Sequence, residues 1–171
     1  MSNDIIIIRG GSGTGKTTLA ASLRPHFPNG ITIESDRVRE MFNRLDWMCK
    51  ESYTTVLEAL AQIVSFYATK NNRPLIVVDT FETVYLKYFC SRLPSDLQTV
   101  VISLYADCYS VWARMRAREG DALLEKAVLN SITQGQEQPL TGGDALAIDT
   151  TNLSSIAVCK TVLAFLANRI S

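Results

Sequence analysis

Eight residues near the start of the chain, Gly10-Gly11-Ser12-Gly13-Thr14-Gly15-Lys16-Thr17, carry the strongest chemical signal in the sequence. Their four glycines let consecutive backbone amides turn inward without Cβ clashes, which builds a cradle for an anion. The spacing G-x-x-x-x-G-K-T follows the apolar run Ile5-Ile6-Ile7-Ile8 and precedes the helix-like Thr17-Thr18-Leu19-Ala20-Ala21-Ser22-Leu23. That is the strand-to-helix setting of a phosphate-binding loop, in which the helix adds unpaired amides and a positive dipole end. Gly11, Ser12, Gly13, Thr14, Gly15, Lys16, Thr17 and Thr18 are therefore expected to hold a nucleotide. Lys16 would reach the β- and γ-phosphates, and the Thr17 hydroxyl would ligate the Mg²⁺ that bridges them.

Three further groups could complete a transfer reaction. In Glu34-Ser35-Asp36-Arg37-Val38-Arg39, the i to i+3 spacing of Asp36 and Arg39 puts a carboxylate and a guanidinium on one helix face. The carboxylate could accept the proton of an attacking hydroxyl and the guanidinium could neutralise developing charge; the structural alternative is an N-capping aspartate with a solvated arginine. Val77-Val78-Asp79-Thr80 ends an apolar run in an acid, which makes Asp79 the candidate metal carboxylate, with a helix cap as its alternative. Arg114 and Arg118, at i and i+4, share a face and can close on phosphates as a small lid over about residues 114–135, whereas Arg116 points elsewhere. The competing reading is an exposed basic helix end paired locally with acids.

These residues need a scaffold that brings loop ends together. Five short apolar runs, Ile5–Ile8, Ile31–Ile33, Leu75–Val78, Val100–Leu104 and Ala145–Ile148, lack alternation and suit strands buried on both faces. Helical patterns lie between them. Ser52–Lys70 groups Val56, Leu60, Ile63, Val64 and Tyr67, and the last helix groups Ile156, Cys159, Leu163, Leu166 and Ile170. Alternating strands and helices predict an α/β fold in three layers, with a central parallel sheet of about five strands and right-handed crossovers. Pro25-His26-Phe27-Pro28-Asn29-Gly30 reads as the turn from the first helix, and Gln134–Gly143 as an exposed turn before the fifth strand. In such sheets ligands bind beyond the carboxyl ends of the strands, where every candidate above falls. Asp149-Thr150-Thr151-Asn152 ends the fifth strand on that side, near where a base could sit, and receives no catalytic role. Trp47, Tyr53 and Trp112 read as packing residues, and His26 as surface.

The 171 residues suit one domain. Seventeen basic and seventeen acidic residues cancel, so no overall field draws the protein to nucleic acid or to an anionic membrane. Cys49, Cys90, Cys108 and Cys159 form no C-x-x-C pair, and His26 is the only histidine, which argues against zinc and against a disulfide scaffold. With no long apolar segment and no leader pattern, a cytoplasmic location is expected.

Taken together, the loop Gly10–Thr17, the segment Ser35-Asp36-Arg37-Val38-Arg39, the strand end Val77-Val78-Asp79-Thr80, the run Arg114–Gly120 and Ile148-Asp149-Thr150-Thr151 resemble the small P-loop kinases of the polynucleotide-kinase and zeta-toxin-like group. Chloramphenicol phosphotransferase and gluconate kinase are similar. The resemblance extends from Ile5 to Leu166 and implies ATP and Mg²⁺ as cofactors, with transfer of the γ-phosphoryl group to a hydroxyl of a small-molecule acceptor. It implies that Asp36 activates that hydroxyl, that Arg39 binds the acceptor side, and that Arg114 and Arg118 grip the donor phosphates. A nucleic-acid 5′-hydroxyl is the weaker acceptor, opposed by the zero net charge, and a regulatory NTPase is the alternative outside enzymatic transfer.

Overall fold

The computed structural model describes residues 4–44, 49–119, 140 and 142–169. Five strands, β1 (Ile5–Arg9), β2 (Ile31–Glu34), β3 (Leu75–Val78), β4 (Thr99–Tyr105) and β5 (Ala145–Asp149), form one sheet in the order β2-β3-β1-β4-β5. All four pairings are parallel. The helices are α1 (Lys16–Leu23), α2 (Ser35–Arg39), α3 (Lys50–Thr69), α4 (Thr83–Ser91), α5 (Cys108–Glu119) and α6 (Ser155–Ala167). The expected three-layer α/β architecture is thus present, with the apolar runs as its strands.

Strand β1 explains why the run of four isoleucines does not alternate. Ile6 and Ile8 face the layer containing Leu19, Leu23, Val158 and Val162, while Ile5 and Ile7 face Val56, Leu60, Val64 and Phe89. Each isoleucine is at most 1 % exposed, and burial of such a side chain stabilises by about 2 kcal/mol. A polar residue anywhere in Ile5–Ile8 would therefore enter one core or the other.

Two helix readings shift at the residue level. In α6 the buried residues are Val158, Cys159, Val162 and Leu166, while Ile156 is 67 % exposed. Two residues rotate a helix by about 200°, so once Val158 faces the sheet, Ile156 faces away. Ser154 sets this phase by accepting the Ala157 amide at 3.2 Å; Ile170 lies outside the described residues. In α3, Leu57 and Ala61 join Val56, Leu60 and Val64 in the core, and Ile63 and Tyr67 are only partly buried.

Chain order places the site. The chain leaves β1 for β2 and returns to β3 on the same side, then crosses to β4 beyond β1. The direction of winding reverses at β1, opening a crevice at the strand ends. The Asp79 amide donates to the Ile8 carbonyl at 3.2 Å, so the end of β3 is tied beside the start of the glycine loop.

Candidate active site

The loop between β1 and α1 takes conformations that only its glycines tolerate. Gly10 has φ +144° and passes so close to β4 that a Cβ would lie 2.2 Å from the Leu104 carbonyl oxygen. Gly13 has φ +76°, under Val111 and Met115 of α5, and Gly15 has φ +98° as it enters α1. Thr14 closes the turn by donating its hydroxyl to the Gly11 carbonyl at 2.8 Å. Lys16 lies back across the loop and donates to that carbonyl at 2.9 Å. Burial pushes its ammonium down to about 8, against the opposing pull of the Asp79 and Asp36 carboxylates.

A cavity of about 840 Å³ opens over these residues. Ser12, Gly13, Gly15, Lys16, Thr17 and Thr18 line it together with Asp36, Arg39, Asp79, Arg114 and Arg118. The structure thus gathers candidate residues from the ends of β1, β2, β3 and β4 into one space. Gly11 and Thr14 are buried beneath the loop surface and shape the cradle from below.

Arg39 is the hinge of the acidic side. It is 8 % exposed; its Nη1 donates to Asp36 Oδ1 at 2.7 Å, and its Nη2 to Asp79 Oδ1 and Oδ2 at 2.8 and 3.0 Å. The shared helix face of Asp36 and Arg39 is as the spacing requires, and Asp36 spends its oxygen on Arg39 rather than on a helix cap. Its side chain remains 77 % exposed to the space above. Asp79 does not cap α4 either, because Glu82 occupies that position. Instead the carboxylate accepts the Thr80 amide at 2.7 Å and the Tyr53 hydroxyl at 3.1 Å. Burial, reinforced by the Asp79 carboxylate, pushes the Tyr53 phenol far above its usual range and keeps it a donor. The turn carrying Asp79 is held by Phe81, a fully buried residue at φ +30° whose ring packs 5.2 Å from Phe89.

Thr17 and Asp79 offer hard oxygens on the same cavity, the kind of pair Mg²⁺ uses alongside substrate phosphates and retained waters. Thr17 is the exposed donor of the two, whereas the Asp79 side chain is 1 % exposed with both oxygens already accepting from Arg39, and would back the ion with its charge. Among the described residues no cluster of three or more histidine, cysteine or acidic side chains competes as another metal site.

The basic side is built differently from a row of loose arginines. Arg114 donates to the Thr150 carbonyl at 2.5 Å, to the Thr150 hydroxyl at 3.1 Å, and more weakly to the Thr151 and Gly13 carbonyls. Thr150 Oγ1 also lies 3.1 Å from the carbonyls of Thr14 and Tyr105. Arg114 and Thr150 therefore tie α5, the glycine loop and the end of β5 together. A smaller cavity of about 160 Å³ lies beside this tie, between Thr18, Leu19, Leu104, Leu153 and Val158. Arg118 is exposed on the main cavity and shares that face with Arg114. Arg116 lies over the Trp112 ring at 5.0 Å, away from the site. Lid residues beyond Glu119, most of the turn before β5, and Trp47 lie outside the described residues.

Tyr53 packs against the α3-side core as expected, and its hydroxyl bond to Asp79 is what the sequence reading omitted. Its signal was there: it continues the α3 stripe of Val56, Leu57, Leu60 and Val64, and an inward tyrosine must find a partner for its hydroxyl. Arg9 is a second omission. It ends β1 at 5 % exposure and donates to the Thr83 hydroxyl at 3.2 Å, bracing the start of α4. His26 is exposed, as expected, and all four cysteines are free thiols.

The architecture defined by these features is the P-loop α/β fold. Solved structures similar to this chain include a gluconokinase from Sinorhizobium meliloti 1021, with a TM-score of 0.74 at 17 % identity, covering 98 % of this chain and 94 % of that one. A sugar kinase from Janibacter sp. HTCC2649 gives 0.74 at 19 %, covering 96 % and 95 %. Shikimate kinase from Acinetobacter baumannii, in complex with shikimate, gives 0.61 at 14 %, covering 98 % and 96 %. No protein-family model matches the chain, and no curated protein sequence matches it. At these identities the likeness is one of fold. Among the described residues no helix is long and apolar enough to cross a membrane.

Proposed function

We propose that the protein is an ATP- and Mg²⁺-dependent phosphotransferase that moves the γ-phosphoryl group to a hydroxyl of a small molecule. The observation that carries this reading is the single cavity in which a phosphate cradle and an Arg39-held, solvent-accessible Asp36 face the same space. A fold shared with solved kinases of small molecules supports it. Phosphoryl transfer needs little covalent chemistry from the protein, so positioning and charge neutralisation are the tasks to fill. The loop amides and Lys16 hold the donor phosphates, and Arg118 adds positive charge at the rim. Arg114 keeps the loop in register with the end of β5. Asp36 accepts the proton of the attacking hydroxyl, and Arg39 aims it. Thr17 and Asp79 would hold Mg²⁺, which would supply charge neutralisation at the phosphates.

The test is transfer from γ-labelled ATP with Mg²⁺ across sugars, nucleosides, antibiotics and 5′-hydroxyl oligonucleotides. Wild type is expected to label a small-molecule acceptor, and Asp36→Asn to lose that labelling by at least about a hundredfold while ATP affinity changes little. Full turnover by Asp36→Asn would remove Asp36 from the role of base. Slow hydrolysis that no acceptor stimulates would favour a regulatory NTPase instead.

A further inference from the structure

The charges lining the large cavity are segregated along the sheet. Over β1 and β4 its charged groups are basic: Lys16 on the glycine loop, and Arg114 and Arg118 on α5. Over β2 and β3, at the other end of the sheet order, they are mostly acidic: Glu34, Asp36, Asp79 and Glu82. Arg39, the only arginine lining that end among the described residues, is already shared between two carboxylates. Lys50 is the remaining cation on its wall, and Arg24 reaches Glu34 at 3.4 Å without lining the cavity. All eleven arginines of the chain are among the described residues, so no other stretch of sequence supplies one. The aromatic part of the wall is Tyr53 set edge-on to Tyr85, with ring centres 4.5 Å apart.

We infer that the acceptor is an uncharged or amine-bearing hydroxyl compound and not a carboxylate or phosphate, with Glu34 and Glu82 setting that preference. This rests on the reading that the acceptor lies over β2 and β3, opposite the nucleotide phosphates. An anionic acceptor recognised by charge needs a planar guanidinium fork with open donors, as arginine offers carboxylates and phosphates. Here the fork is committed to Asp36 and Asp79, and the charged groups left on that wall are three acids, Glu34, Asp36 and Glu82, against one exposed lysine, Lys50. An added carboxylate would meet like charge from Glu34, Asp36 and Glu82, which line the same cavity. An ammonium or a ring hydroxyl would instead find acceptors in Glu34 and Glu82 and apolar edges in Tyr53 and Tyr85. Wild-type selectivity is then set by repulsion of the wrong acceptor as much as by attraction of the right one.

The experiment measures binding of matched trios to the full chain loaded with Mg²⁺ and a non-hydrolysable ATP analogue. Each trio is one scaffold, a hexose, a cyclitol or a nucleoside, carrying an amine, a hydroxyl or a carboxylate at one position. For a scaffold that binds, the amine and hydroxyl members are expected to bind at least about tenfold more tightly than the carboxylate. Glu34→Gln/Glu82→Gln, verified as folded by its thermal transition, is expected to shrink that gap to about threefold or less. Equal or tighter binding of the carboxylate overturns the inference. So does a gap that the double substitution leaves intact, or a panel in which no trio binds. Labelling from γ-labelled ATP is scored separately on the same compounds. A charge preference in binding without any transfer counts against the phosphotransferase reading and leaves the charge assignment standing.

Discussion

One nitrogen of Arg39, Nη2, holds both carboxylate oxygens of Asp79, at 2.8 and 3.0 Å, across forty residues of chain. Both side chains are almost wholly buried. Breaking a buried pair by removing one partner leaves a charge without compensation, at a cost of about 3–5 kcal/mol. Arg39→Met is expected to lose that much in urea unfolding, and Asp79→Asn a comparable amount. The double variant should lose at least about 2 kcal/mol less than the sum of the two. Strict additivity would mean that the pair contributes no coupling.

Lys16 is expected to carry the pH dependence of nucleotide binding. Burial holds its ammonium at about 8, below its unfolded value, and polyphosphate binding favours the charged form. The sign follows directly: the apo protein increasingly lacks that proton as pH rises past 8, so binding must take one up and weakens. Between pH 7.5 and 9 the affinity for Mg²⁺-free ATP should fall about eightfold. Lys16→Met should bind weakly and show no such slope in calorimetry. A wild-type affinity that stays flat over this range would place the Lys16 transition elsewhere.

The Arg114–Thr150 tie predicts a separation between loop order and charge. Thr150→Val keeps shape and removes the hydroxyl that lies 3.1 Å from the Thr14 and Tyr105 carbonyls. It should cost about 1–3 kcal/mol of stability. Arg114→Lys keeps the charge but loses the fork that spans the Thr150 and Thr151 carbonyls, and should weaken ATP binding about tenfold. If Arg114→Lys bound ATP like wild type, charge alone would account for this arginine.

Gly10 and Gly143 form an internal comparison. Gly10→Ala would press a Cβ against the Leu104 carbonyl at 2.2 Å from a φ of +144°, at an expected cost of about 3 kcal/mol or more. Gly143, at φ +54° with open space around its missing Cβ, should lose only about 1 kcal/mol on becoming alanine. Thermal unfolding of the two variants separates a close approach of backbones from a turn preference.

Much of this arrangement was legible before any coordinates. The glycine loop declares itself because only glycine accepts its backbone angles, and the strands because a chain covered on both faces has no polar side to show. Asp36 and Arg39 were paired by helix geometry alone, since three residues bring two side chains back to one face. Ile156 was misassigned because apolar spacing defines a stripe but not which stripe meets the sheet; the Ser154 cap and packing against α1 chose Val158 and Val162.

By itself the sequence determined the local chemistry of this protein: an anion cradle, a buried sheet, and a carboxylate one helical turn from a guanidinium. Only the tertiary structure decided that Arg39 also grips Asp79, that Tyr53 serves that carboxylate, and that Arg114 is spent on Gly13, Thr150 and Thr151. It also decided that acids gather over β2 and β3 while arginines gather over β4. The physical reason is range. Backbone preference and helix period act over a few residues and can be read along the chain, whereas the partner of a buried charge is chosen by which strand ends the sheet brings side by side.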